Sequence, residues 1–140
     1  MKCVSVAVSS SARLCFHMAA IACIAVMLGH ELLGSAKVLD PLHQVALPAD
    51  VVWLHHFSWH VGSISLVATA AMFVLGGRKT EHLILATFGT AISTGFAILG
   101  IFLAVFGEAA LWNTPAPYPW APIAALGGTG LYFAHKGTHR

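Results

Sequence analysis

Histidine and the acidic residues carry the chemistry that this sequence offers. The chain of 140 residues contains nine histidines and five acidic residues. His30 stands beside Glu31, and His56 and His60 follow in the stretch after Trp53. Residues four apart lie on one face of a helix, and this spacing is found where two imidazoles bind one metal ion. The pattern is compatible with metal chemistry.

A metal site needs further ligands, and helices that end at one surface of a bundle would supply them. Imidazole and carboxylate groups suit Zn, Cu, Fe or Ni. The sequence therefore predicts a candidate transition-metal site with ligands drawn from His30, Glu31, His56, His60 and Glu108. The alternative is that these histidines lie at a membrane interface within an aromatic belt, whose members would be Trp53, Trp59, Trp112, Tyr118 and Trp120.

A single haem is a second cofactor that the histidines allow. His17 and His30 would lie about 20 Å apart along one helix but about 140° apart around it, which disfavours two stacked haems. No other segment carries a histidine pair at matching spacing. One haem between His30 and His60, or between two of His17, His82 and His135, stays open.

The composition indicates where these side chains are placed. Hydrophobic residues make up 58% of the chain and charged residues 9%, against roughly 45–50% and 25% in a soluble domain. The mean hydropathy of +0.81 therefore indicates surface in contact with lipid. A disordered chain, a nucleic-acid-binding protein and an ordinary cytosolic enzyme are all disfavoured.

Four apolar segments position the candidate residues. Short breaks rich in Pro, Gly and charge separate them, which predicts one all-α membrane domain over residues 1–140. The fourth segment would be only about 24 Å long, against about 30 Å for a bilayer core. The segments are about 14–33, 51–75, 82–106 and 120–135.

The cationic residues predict an orientation. Lys and Arg concentrate on the cytoplasmic side of membrane proteins. With four spans, six of the seven Lys and Arg residues fall on one side and only Lys37 on the other. We therefore expect a multi-pass protein of the inner (cytoplasmic) membrane with both termini cytoplasmic. The six are Lys2, Arg13, Arg78, Lys79, Lys136 and Arg140.

Small residues recur at helical spacing in the third segment. Such stripes let membrane helices approach closely, which supplies most of their association energy in lipid. They predict a four-transmembrane-helix bundle, although the same stripe would also serve for docking on other subunits. The stripe comprises Gly89, Ser93, Ala97 or Phe96, Gly100, Ala104 and Gly107.

The sequence also disfavours several activities. No charged residue occurs in the interior of a predicted helix, whereas ion-coupled carriers usually keep one there. There is no phosphate-binding loop and no serine nucleophile motif. Acid–base chemistry at the outer surface through Glu31, His60 and Glu108 is the enzymatic alternative.

A short set of positions resembles a group of small bacterial four-helix membrane proteins. The resemblance covers mainly the first half of the chain and singles out His30 and the Trp59-His60 pair. It implies the four-helix fold and carries no activity. The matching positions are Gly29, His30, Glu31, Gly34, Pro41, Trp59 and His60.

Two functions follow as expectations. The first is a small non-catalytic accessory subunit of a larger inner-membrane complex, energy-transducing or redox, whose partners are the lipid bilayer and other membrane subunits. The second is a protein that binds a transition metal or one haem at the outward-facing His/Glu cluster, including a metalloenzyme. Neither involves nucleic acid.

Overall fold

The computed structural model describes residues 7–138, and this part of the chain is all-helical, as the sequence predicts. Its α-helices are α1 (Ser10–Gly29), α2 (Ser35–Leu42), α3 (Ala49–Gly76), α4 (Leu83–Phe102) and α5 (Trp120–Thr138). π-helical turns extend α1 over His30–Gly34 and α4 over Leu103–Gly107. Short 3-10 turns occupy Thr80–His82 and Ala109–Asn113.

Three helical segments are long and apolar enough to cross a membrane. They are Ser10–Leu42, Ala49–Gly76 and Thr80–Gly107. These segments correspond to the first three predicted spans, and they fit a protein embedded in a bilayer. The fourth helix, α5, has 19 residues, which gives it a length of about 28 Å.

The first helical segment is longer than the sequence predicts. The prediction ended it at residue 33, where the apolar run ends, and placed Asp40-Pro41 and Pro48 in the loop that follows. The structure continues through the π-helical turn into α2, which ends one residue after Pro41. Leu39 is only 5% exposed, so burial of this side chain fixes α2 to the bundle against the local loop signals.

The long helices pack in a closed ring. α1 contacts α3 and α5, and α4 contacts the same two helices. Neighbours run antiparallel: the Ser9 hydroxyl before α1 donates to the Phe133 carbonyl near the end of α5, at 3.4 Å. At the opposite end, Phe96 of α4 stacks on Trp120 of α5 with ring centroids 4.5 Å apart. The arrangement is an up-and-down ring.

Two phenylalanines form the centre of the core. Phe16 of α1 and Phe73 of α3 are both 0% exposed, and their ring centroids are 6.2 Å apart. Ile123 of α5 is equally buried. The hydroxyl of buried Ser93 donates to the Gly89 carbonyl at 2.8 Å, so a polar group in the core is satisfied within its own helix.

The small-residue stripe of the third segment is used inside the protein. Gly89, Ser93 and Ala97 of α4 are buried, as is Ala104 in the following π-helical turn. The packing role predicted for these four positions is confirmed, whereas Gly100 is half-buried and Gly107 is exposed. Because the bundle's own helices cover the four buried residues, they are not surface that another subunit could contact.

Candidate functional site

The candidate site lies where the π-helical turn after α1 meets residues 59–63, near the middle of α3. A π-helical turn holds more residues per turn than an α-helix, so it changes the direction of the side chains it carries, and such turns are frequent at functional sites. This one begins with His30 and Glu31. Both side chains reach α3, where their contacts are with Trp59, His60 and Ser63.

His30 is fixed by contacts on its face and its edge. Its imidazole stacks on the Trp59 indole with centroids 3.7 Å apart and planes 13° apart. Its Nε2 lies 3.2 Å from the Trp59 carbonyl oxygen, and since a carbonyl only accepts, Nε2 carries the donated proton. A Cβ on Gly62 would lie 3.6 Å from the same Nε2, so the imidazole lies directly against this backbone.

The Trp59 indole is also held by Gly34 and Ser35, which follow His30 in the same helical segment. Its Nε1 donates to the Ser35 hydroxyl at 3.1 Å. A Cβ on Gly34 would lie 2.8 Å from Trp59 Cζ2, so only glycine allows the helix to approach the ring so closely. His30, Gly34 and Ser35 therefore enclose one indole.

Glu31 joins two side chains of α3. Its Oε1 accepts from the Ser63 hydroxyl and lies 3.2 Å from His60 Nδ1. The side chains of His60 and Glu31 are 57% and 28% exposed, so this pair faces outward while the Trp59 contact lies behind it. An exposed pair of this kind contributes about 0.2–1 kcal/mol to stability.

The remaining predicted ligands lie elsewhere. His56 Nε2 is 3.1 Å from Nε2 of His43, in the chain between α2 and α3. Glu108 Oε1 accepts from the Ala110 backbone N–H at 3.1 Å and caps the 3-10 turn that follows. Sequence spacing placed His56 on one face with His60, but their partners differ because the returning chain brings His43 to the first turns of α3.

The five predicted ligands do not converge on one point. Within residues 7–138 there is no group of three or more His, Cys, Asp or Glu side chains placed to hold a metal ion. His30, Glu31 and His60 share one region, whereas His56 and Glu108 make separate contacts. Three-ligand binding by the predicted set would require these side chains to rearrange.

The histidines considered for haem also have partners in the chain. His30 is stacked on Trp59, and His60 is bonded to Glu31. A haem between His30 and His60 would require both imidazoles to leave these contacts. At the other end of α1, His17 Nδ1 lies 2.7 Å from the Arg13 carbonyl oxygen, which makes Nδ1 the donor.

Ser63 is the member of the cluster that the sequence did not reveal as part of a site. Its position three residues after His60 on α3 is the only signal that it shares a face with a predicted ligand. The order of contacts differs from a serine-hydrolase triad, in which the imidazole lies between serine and carboxylate. Here the carboxylate of Glu31 lies between Ser63 and His60, so no imidazole accepts the serine proton.

No protein-family model, curated protein or solved structure matches this chain.

Proposed function

We propose that the protein is a small non-catalytic accessory subunit of a larger inner-membrane complex, energy-transducing or redox. In this proposal α1, α3, α4 and α5 all cross the bilayer and both termini are cytoplasmic. Arg13, Arg78, Lys79 and Lys136 support the orientation, because all four lie at the bundle end formed by the start of α1 and the ends of α3 and α5. Lys2 and Arg140 lie outside the described residues.

The observation that carries the proposal is the polar cluster of His30, Glu31, Trp59, His60 and Ser63. Each of its polar side chains is bonded within the chain, so the cluster locks the end of α1 to α3. The outward face of the Glu31–His60 pair remains exposed. A partly exposed, hydrogen-bonded carboxylate–imidazole pair is suited to recognising a partner's polar groups, since its geometry is set before contact.

Apolar side chains flank this pair and would extend the contact. Trp53, Leu54 and Phe57, in the first turns of α3, are 67%, 62% and 67% exposed. Exposed aromatic residues at such a position serve either as an interfacial belt or as the anchors of a protein interface. We place the docking surface at this end of the bundle, because Gly89, Ser93 and Ala97 of the α4 stripe are buried inside the bundle.

Gentle detergent extraction followed by native mass measurement tests the proposal. We expect a hetero-complex whose mass exceeds that of the chain, with the visible spectrum of a redox partner where the complex is a redox one. His60→Ala should release the subunit, whereas His55→Ala, five residues away on the same helix and bonded to the Val51 carbonyl at 2.8 Å, should not. A lone monomer or a homo-oligomer in the native extract would refute accessory membership.

One observation favours metal binding as a second candidate function. Two nitrogen ligands about 2.0–2.1 Å from one ion lie roughly 2.9–3.4 Å apart in square-planar to tetrahedral geometry. The Nε2 atoms of His43 and His56 are 3.1 Å apart, within that range. Solvent or a partner would complete the coordination, with Cu(II), Ni(II) or Zn(II) as the ions that imidazole suits.

Isothermal titration of the purified protein with Zn(II) and Cu(II) separates this candidate from a direct imidazole–imidazole hydrogen bond. We expect one equivalent to bind, and His43→Ala and His56→Ala each to abolish binding. His55→Ala removes a neighbouring exposed imidazole and should leave the titration unchanged. Equal loss in all three variants, or no binding in the parent, would remove the candidate.

A further inference from the structure

An apolar groove runs along the outer surface of the bundle between α1 and α3. It measures about 760 Å³ and is lined almost entirely by aliphatic side chains and alanines. The buried alanines Ala20 and Ala70 lie at its floor, and the exposed alanines Ala25 and Ala71 leave space between the larger side chains. The larger lining residues are Ile21, Ile24, Leu28, Val67, Val74 and Leu75.

A basic pocket continues this groove at the end of the bundle where α1 begins. Arg13, His17 and Arg78 line it together with Ser10 and Leu14. His17 lines the groove and the pocket alike, so the two adjoin at this side chain, and together they are called the depression below. One end of that depression is cationic and the rest is hydrocarbon.

The two arginines are available to an external anion. Both are exposed, and neither takes part in a salt bridge among the described residues, where the acidic partners Glu31 and Glu81 pair with His60, Lys79 and His82. Guanidinium groups bind phosphate oxygens with two parallel hydrogen bonds. Two unpaired guanidiniums beside one pocket therefore match a phosphate group.

The length of the groove fits one leaflet of a bilayer. From His17 to Leu28 the groove follows α1 for 11 residues, which is about 17 Å. The hydrocarbon core is about 30 Å thick, so this is about half of it. An acyl chain extending from a headgroup at Arg13 and Arg78 would reach the bilayer midplane at the end of the groove.

We propose that this depression binds one anionic phospholipid. An acyl chain lies between α1 and α3, and the lipid phosphate contacts the guanidiniums of Arg13 and Arg78. His17, whose Nδ1 is bonded to the Arg13 carbonyl at 2.7 Å, lies at the junction of chain and headgroup. Basic pockets beside membrane helices are the common form of sites for anionic lipid headgroups. The site is independent of the polar cluster at the other end of the bundle.

Native mass spectrometry of the delipidated full chain in detergent tests the proposal, with dioleoylphosphatidylglycerol and dioleoylphosphatidylcholine as probes. We expect a single phosphatidylglycerol to bind in preference to phosphatidylcholine. The double variant Arg13→Gln/Arg78→Gln should weaken phosphatidylglycerol binding about 25-fold, at roughly fivefold for each cation. The matched control Lys79→Gln/Lys136→Gln removes the same charge from the same end and should keep the affinity.

The acyl chain is tested separately from the charge. Ala71→Phe fills the groove and leaves both arginines in place, so we expect it to weaken lipid binding. Ala68→Phe adds the same ring at an exposed position of α3 outside the groove and should not. Three results would each overturn the proposal. The two lipids could bind equally, the lysine control could lose as much affinity as the arginine variant, or glycerol 3-phosphate could compete as well as the whole lipid. Undiminished binding by Ala71→Phe would do the same and would indicate a phosphate site without an acyl chain.

Discussion

Gly130 gives the sharpest test of how the bundle is packed. It lies on α5, and a Cβ placed there would be 2.5 Å from Cε1 and 2.7 Å from Cδ1 of Phe16. Phe16 is fully buried and stacked on Phe73, so its ring has no free space to enter. The substitution Gly130→Ala should therefore force α5 away from α1 or push Phe16 out of its stack.

The size of the effect follows from two opposing contributions. Alanine stabilises a helix interior over glycine by up to about 1 kcal/mol. Adding a methyl group to a filled core costs about 1–3 kcal/mol. Gly128 lies on the same helix, and a Cβ there meets none of the described residues within 4 Å. Helix propensity is common to both positions, so Gly130→Ala should be less stable than Gly128→Ala by about 1–3 kcal/mol.

Unfolding in mixed micelles by a titration with sodium dodecyl sulfate, followed by circular dichroism, measures this difference. A double-mutant cycle with Phe16→Leu identifies the residue that clashes, because contacting residues show non-additive energies. Phe16→Leu should cost less in the Gly130→Ala protein than in the parent. Equal stability of the two alanine variants would refute the packing of α5 against Phe16, as would an additive cycle.

The remaining predictions concern the cluster at the other end of the bundle. Gly34→Ala places a Cβ 2.8 Å from the Trp59 ring and should lower the thermal unfolding midpoint relative to Gly29→Ala, where no described residue lies within 4 Å; equal midpoints would contradict this. Glu31→Gln removes the carboxylate charge that faces His60 and should cost less than about 1 kcal/mol in the same unfolding titration, because the pair is partly exposed. A larger loss would mean that Glu31 supports the fold by other contacts.

Hydropathy and periodicity predicted most of the fold. Long apolar segments bounded by Gly, Pro and charge mark the helices because a bilayer accepts only backbone whose hydrogen bonds are satisfied internally. The predicted end of the first helical segment differed from the observed one, because the local sequence there favours a loop whereas tertiary packing favours a helix. The sequence signals a loop at Gly34 and Pro41, yet burial of Leu39 keeps residues 35–42 helical.

The candidate site was predicted only in part. The pairing of His30 and Glu31 with α3 could be anticipated, because both lie at helix ends on one side of the bundle. The contacts of Ser35 and Ser63 could not, since serine is common in these helices and spacing alone does not select one. The π-helical turn at His30–Gly34 has no signature in the composition either, and it determines which side chains reach Trp59 and His60.

The sequence by itself predicted an apolar, all-helical protein with segments long enough to cross a membrane, with most of its cations at one end and five of its nine histidines at the other. Those properties are summed along each segment, so they do not depend on which helices touch. Only the tertiary structure decided which residues are partners. It paired His56 with His43, placed Glu31 between Ser63 and His60, buried most of the α4 stripe, and joined an apolar groove to Arg13 and Arg78. Each of these contacts depends on how helices distant in sequence rotate and pack, which the order of residues along one helix does not specify.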